Sequence, residues 1–239
     1  MIAALVFILI LAAVGTGVWL SYRAKQRRRE ALFGFATQRG LEYSRVDPFA
    51  LPSSYAFHLF GMGDGRGCEN VLSGTWDGMP VREADYWYYT ESSDSKGGRS
   101  KSYSYFSVVV ADLDCSVPRV SISKETLLTR AAEHLGARDL DFESEEFNRM
   151  FKVTAEDPQV AYQLIDPRMM NWLLSTGGAF GFEVVGPNLL VYSHRRRPTE
   201  LIPLFGSAQL FRDHIPRLVR TEYGIRQGEG TDPTERSSS

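Results

Sequence analysis

Cysteine is scarce in this chain. Cys68 and Cys115 are the two among 239 residues, too few for a disulfide framework, and a pair of reduced thiols fits a reducing compartment. Histidine is thin as well. His58, His134, His194 and His214 fall in no H-E-x-x-H or comparable zinc spacing. Lysine supplies 5 of the 27 basic residues and arginine 22, a bias expected of a GC-rich genome, so no arginine is given a phosphate on abundance alone. There is no G-x-S-x-G elbow, no G-K-[ST] phosphate loop and no internal repeat. These absences leave no support for serine-hydrolase, nucleotide-loop or zinc chemistry, and no cofactor is implied.

Positive charge is also missing from most of the chain. The formal balance is −2, but Arg23, Lys25, Arg27, Arg28 and Arg29 hold five basic residues in seven positions. The rest has 22 basic against 29 acidic residues, a balance of −7. An acidic body lacks the positive face that phosphate neutralisation needs, so nucleic acid is excluded as a partner. Hydrophobic residues make up 43%, enough for a real core.

What is present begins at the N-terminus. Residues 2–20, IAALVFILILAAVGTGVWL, carry no charge. At 1.5 Å per residue they make roughly 30 Å of helix, the thickness of a hydrocarbon core. No polar stripe interrupts them, as one would in a buried helix of a globular domain. Trp19 and Tyr22 stand where amphipathic rings favour the interface. A cleaved signal peptide would place its positive charge before the apolar run and a small-residue cleavage site after it; here the basic cluster follows. The positive-inside bias then puts Arg23, Lys25, Arg27, Arg28 and Arg29 at the cytoplasmic membrane surface and the N-terminus outside. The expected organisation is a transmembrane anchor at 1–22, a basic juxtamembrane helix at 23–40, a cytoplasmic domain at 41–225 and a disordered tail at 226–239.

The periodicity predicts an α+β domain: an antiparallel sheet with helices packed on it, preceded by the one transmembrane helix. Leu32, Phe35, Ala36 and Arg39 share a helix face, and Gly40 is a stop. Residues 41–46 suit a short strand and 47–67 a loop. Residues 69–76 and 79–90 read as strands around an Asp77-Gly78 hairpin turn, 91–102 as a polar loop, and 103–113 as a third strand. Helices are expected over 123–135 and after the caps Ser144, Asp157 and Asp166, the last two followed by proline at N1. A brief strand at 152–154 precedes them. A hairpin across Gly186-Pro187-Asn188 and a final helix over 204–223, kinked or split at Pro216, complete the expectation.

Several short patterns invite chemistry and weigh little. Glycines alternate at 61, 63, 65 and 67 in GMGDGRGC, but Arg66 occupies the position where G-x-G-x-x-G needs glycine; a surface turn is the plainer reading. His58, Asp64 and Cys68 are sparse for a metal. Asp112/Asp114 and Asp139/Asp141 have Mg²⁺-compatible spacing that solvated turns share. Cys115 has no local base. His194 to Arg197 is a basic run that suits a solvated strand end better than lipid phosphate.

Aromatic residues concentrate on the predicted strands. Trp87 and Tyr89 share a face with Asp85, Tyr86 and Tyr88 take the other, and Tyr103 and Tyr105 lie on the neighbouring strand. Trp87, Tyr89, Tyr103 and Tyr105 are the candidate binding surface, since tyrosine and tryptophan combine large apolar area with a polar tip.

The stretch 143–170, ESEEFNRMFKVTAEDPQVAYQLIDPRMM, resembles a family of uncharacterised bacterial single-pass membrane proteins, many of them actinobacterial. Glu143, Ser144, Glu146, Phe147, Asn148, Phe151, Val153, Asp157, Leu164, Pro167 and Met169 carry the likeness. The resemblance implies an N-terminal anchor and transfers no catalytic residue. The leading expectation is a membrane-tethered cytoplasmic binding or scaffold module, with the lipid bilayer and a membrane or cytoplasmic protein as partners. The alternatives are a lipid-headgroup binder resembling a pleckstrin-homology domain, with Arg195 to Arg197 facing lipid, and a hydrolase using Cys115 or the Gly61–Gly67 glycines.

Overall fold

The computed structural model describes residues 2–93, 98–124, 127 and 139–225, without the side chains of residues 2–6, 8 and 13. The first element is a single unbroken helix, α1 (Ile2–Arg39). It stops at Gly40, where the Leu41 N–H donates back to the Ala36 carbonyl at 2.9 Å. Among the described residues no helix is long and apolar enough to cross a membrane; part of the 2–20 apolar run lies outside the described side chains. Those that are described are exposed on every side, from Phe7 to Tyr22.

The body is α+β. Strands β1 (Glu42–Val46), β2 (Gly65–Trp76), β3 (Met79–Ser93), β4 (Arg99–Ser123) and β5 (Lys152–Ala155) pair in chain order, and β6 (Gly181–His194) pairs with β4. The β1–β2, β2–β3 and β4–β5 ladders are antiparallel. Contacts divide the chain into two units: Met1–Val109 with Tyr192–Gly206, and Val110–Val191 with Ser207–Ser239.

In the first unit, Trp76 pairs with Met79 across a tight turn. Asp77 (φ 48°) and Gly78 (φ 75°) both take the left-handed conformation that a two-residue I′ hairpin demands. One face of β3 is core: Tyr86 lies 5.0 Å from Phe60 and donates to the Leu59 carbonyl at 2.8 Å, and Tyr88 stacks on Phe106 at 5.8 Å. Leu32 and Ala36 of α1 are buried, and Phe35 stacks on Phe205, which stacks on Trp76.

The second unit follows its caps. The Ser144 hydroxyl accepts from the Phe147 N–H to start α4 (Glu145–Met150). Asp157 and Asp166 accept from Gln159 and Met169 to start α5 (Pro158–Leu164) and α6 (Pro167–Ser175). Pro216 divides the last helical stretch into α7 (Ile202–His214) and α8 (Arg217–Tyr223). Its aromatic core includes Phe182, which stacks on Phe211 at 5.3 Å.

Three expectations are corrected. Residues 47–67 are not a loop: α2 (Leu51–Ser54) and α3 (His58–Gly61) occupy it, and β2 begins at Gly65. Both ends of the expected 91–102 loop are strand, since β3 continues to Ser93 and β4 starts at Arg99. No hairpin turns at Gly186; β6 runs straight through, with Gly186 (φ 58°) absorbing a local distortion while the 25-residue β4 supplies a partner. The expected 123–135 helix and the tail lie outside the described residues, apart from 123, 124 and 127.

Candidate functional site

Two features share one face of the β2–β3 ribbon in the first unit. The register sets Glu69 opposite Asp85, Gly67 opposite Trp87 and Gly65 opposite Tyr89. Because side chains alternate across a strand, Glu83, Asp85, Trp87 and Tyr89 all point the same way.

Charge occupies the first part of this face. Asp85, with 4% of its side chain exposed, accepts from Arg28 Nε at 2.7 Å, from Asn70 Nδ2 at 2.9 Å and from Arg195 Nη2 at 3.1 Å. A second, shorter bond from Arg28 Nη2 makes the Arg28 pairing bidentate. The remaining Arg28 nitrogen donates to the Arg196 carbonyl at 2.7 Å. Burial works against the Arg28 charge, but the hydrogen bond and charge of Asp85 outweigh it and hold the guanidinium above its usual pKa. Asn70 reaches Asp85 because of a bulge: the register shifts between Glu69 and Leu72, and Asn70 sits at φ 56°. Tyr43 then donates to Asn70 Oδ1 at 2.9 Å. Arg29 and Arg195 each approach Glu69 at 4.0 Å.

Beside Asp85 lies Glu83, wholly buried, with no hydrogen-bond partner for either oxygen among the described residues. Burial, then the neighbouring Asp85 charge, push its pKa well above the ordinary carboxylate value, against the pull of Arg28 and Arg195. Two neighbouring carboxyls resemble an acid/base pair, but Glu83, with no exposure, meets no substrate. The cluster's chemistry is structural: it locks α1 and the 195–196 backbone onto the sheet.

Rings occupy the second part of the face. Trp87 stacks with Tyr89 at 6.3 Å, Tyr89 meets Tyr103 at 5.4 Å, Trp87 meets Tyr103 at 6.0 Å, and Tyr103 stacks with Tyr105 at 6.0 Å. Tyr103 is 47% and Tyr105 44% exposed, with Trp87 and Tyr89 partly so. Lys101 Nζ sits 4.0 Å above Tyr89, and Arg195 stands 5.6 Å from Tyr105. Two of the alternating glycines, Gly65 and Gly67, are the bed for Tyr89 and Trp87. A Cβ on Gly65 would lie 2.4 Å from the Tyr89 ring, and one on Gly67 would lie 2.9 Å from Trp87. Neither glycine belongs to a phosphate loop or a surface turn.

The other candidates fall away. Cys115 is fully buried, and burial, then Asp114, push its thiol up to about 11, the reverse of an activated nucleophile. Burial likewise raises the Cys68 thiol. Cys68 borders an open depression of about 540 Å³ with Asp47, Ser53 and Arg66. Its polar groups are already engaged: Asp47 accepts from the Leu51 N–H, and Arg66 donates to the Phe60 carbonyl. Among the described residues no cluster of three metal-ligating side chains occurs. Arg195 and Arg196 do not form the expected solvated or lipid-facing run; Arg195 joins Asp85, and Arg196 donates to the Ser193 hydroxyl at 2.8 Å. Arg28, expected at the lipid surface, is likewise turned inward.

No family model matches the chain, and no curated protein matches it. The fold, however, has a solved counterpart. The crystal structure of the mycobacterial trehalose monomycolate transport factor A, TtfA, is similar, with a TM-score of 0.57 at 13% identity, over 79% of this chain and 96% of that one. At that identity the likeness to TtfA is one of fold.

Proposed function

We propose that this chain is a membrane-tethered binding or scaffold module that serves the handling of envelope lipids. Residues 2–20 anchor it, the N-terminus lies outside, the body lies in the cytoplasm, and the Trp87/Tyr89/Tyr103/Tyr105 face is its recognition surface. We place it with bacterial single-pass proteins of the kind its 143–170 segment resembles. The observation that carries the reading is the continuity of α1: one helix runs from the apolar stretch into the body, where Arg28 is clamped by Asp85. A tether of that kind is a stalk, holding the aromatic face at a set height from the bilayer. The fold of a trehalose monomycolate transport factor supports a role beside lipid transport. A platform of partly exposed rings favours a binding role.

The tether is tested by fusions after residue 60. A cytoplasmic fluorescent reporter should glow, alkaline phosphatase should stay inactive, and the protein should resist carbonate extraction; release by carbonate or an active phosphatase rejects it. The recognition surface is tested by a photo-crosslinking amino acid at Tyr105 in native membranes. Adducts with a membrane component are expected, and their absence, or adducts with soluble proteins alone, rejects the assignment.

A further inference from the structure

α1 and β2 lie alongside each other within the first unit, and three contacts give their alignment. Arg39 stands 5.5 Å from the Trp76 ring, Phe33 meets Tyr43 at 6.0 Å, and Arg29 reaches Glu69 at 4.0 Å. Tyr43 is the β1 partner of Leu72. Going up α1 toward its N-terminus is therefore going along β2 from Trp76 toward Gly65. From Glu69 to Gly65 is about 13 Å of strand. From Arg29 to Tyr22 is about 10 Å of helix, and to Trp19 about 15 Å. Between the Arg39 and Arg29 contacts about 15 Å of helix runs beside about 23 Å of strand, so on that alignment the rung of Gly65 and Tyr89 falls near Tyr22 and Arg23, where the apolar run gives way to the basic cluster. Trp87, Tyr103 and Tyr105 lie just below it, on the face toward which Arg28 and Arg29 reach.

We infer that this aromatic face lies in the headgroup layer of an anionic leaflet, beside the point where α1 leaves the bilayer. The inference rests on the tether reading. Tyrosine and tryptophan, apolar in body and polar at the tip, prefer that layer. The charges agree: Arg23, Lys25 and Arg27 are exposed on α1, where an anionic surface attracts them. Two acidic groups close by among the described residues have partners. Glu91 pairs with Lys101 at 3.2 Å, and Asp64 accepts from the Glu91 N–H at 2.6 Å. Glu30, lower on α1, is exposed. Trp87 stacks on Tyr89 and Tyr103 on Tyr105, the two pairs meeting at an interplanar angle of 52°; rings held in place by one another make a preorganised surface, which suits a layer of headgroups better than a single buried ligand.

The test uses the full chain in lipid nanodiscs with brominated acyl chains, either phosphatidylcholine alone or an equal mixture with phosphatidylglycerol. Emission lost on Trp87→Phe isolates Trp87, and emission lost on Trp19→Phe isolates Trp19. In the mixed discs both components should be quenched. Trp87 quenching should fall in phosphatidylcholine alone and in high salt. Trp19 quenched with Trp87 untouched in the mixed discs overturns the inference and leaves the tether standing, with a protein partner for the rings. Neither quenched rejects tether and inference together. Equal Trp87 quenching in both lipids overturns the anionic requirement. Tyr103→Ser combined with Tyr105→Ser alters two exposed side chains. It should lower Trp87 quenching at an unchanged melting temperature; unaltered quenching counts against the face as the contact.

Discussion

Asp85 is the residue on which the first unit turns. It answers two part-buried arginines and the Asn70 amide at once, so its removal leaves cations without their closest anion. Breaking a buried pair from one side costs about 3–5 kcal/mol. Asp85→Ala should therefore lower unfolding free energy by that order in a urea titration, and a loss under 1 kcal/mol would show the cluster to be peripheral. Glu83 has the opposite character. Its carboxyl keeps a proton in the folded state that an unfolded chain releases near its ordinary value of 4.5. The folded state then holds more protons, so stability falls as pH rises from 4.5 toward the raised folded value. Glu83→Gln carries no such proton, and its stability should decline less over that range. Parallel pH profiles for the two proteins would contradict the protonated carboxyl.

At the scale of elements, the β2–β3 ribbon and α1 define the site. Rings lying on Gly65 and Gly67 explain why glycine alternates there, and the steric consequence is direct. Gly65→Val puts branched carbons into the Tyr89 ring, an overpacking that costs about 1–3 kcal/mol; a drop in melting temperature with a shift in tryptophan emission is expected, and an unchanged spectrum would mean the rings do not rest there. Local chemistry was readable in sequence. Ser144, Asp157 and Asp166 announced their helices through capping chemistry, and Asp77-Gly78 its turn. The Trp87/Tyr89 face followed from strand alternation. Non-local chemistry was not readable. Asp85 meets partners 57 and 110 positions away, so Arg28 read as a lipid-facing charge and Arg195 as a solvated one. Alternating glycines carry no pattern of their own until the rings opposite are known. Gly186-Pro187-Asn188 has turn composition, but pairing with β4 overrode it.

At the scale of the molecule, the account joins an apolar N-terminal run, a helix without a break and a body that grips that helix through Arg28. In the proposed arrangement the stalk sets where the aromatic face stands, and that position gives the face its partner. A flexible linker at residues 20–28 would separate the three and leave the face free to point anywhere. Amide hydrogen exchange along α1 of the full chain in bilayer nanodiscs distinguishes these cases. The account predicts slow exchange continuous from the apolar run through Arg39, and a fast-exchanging window between Leu20 and Arg28 would contradict it.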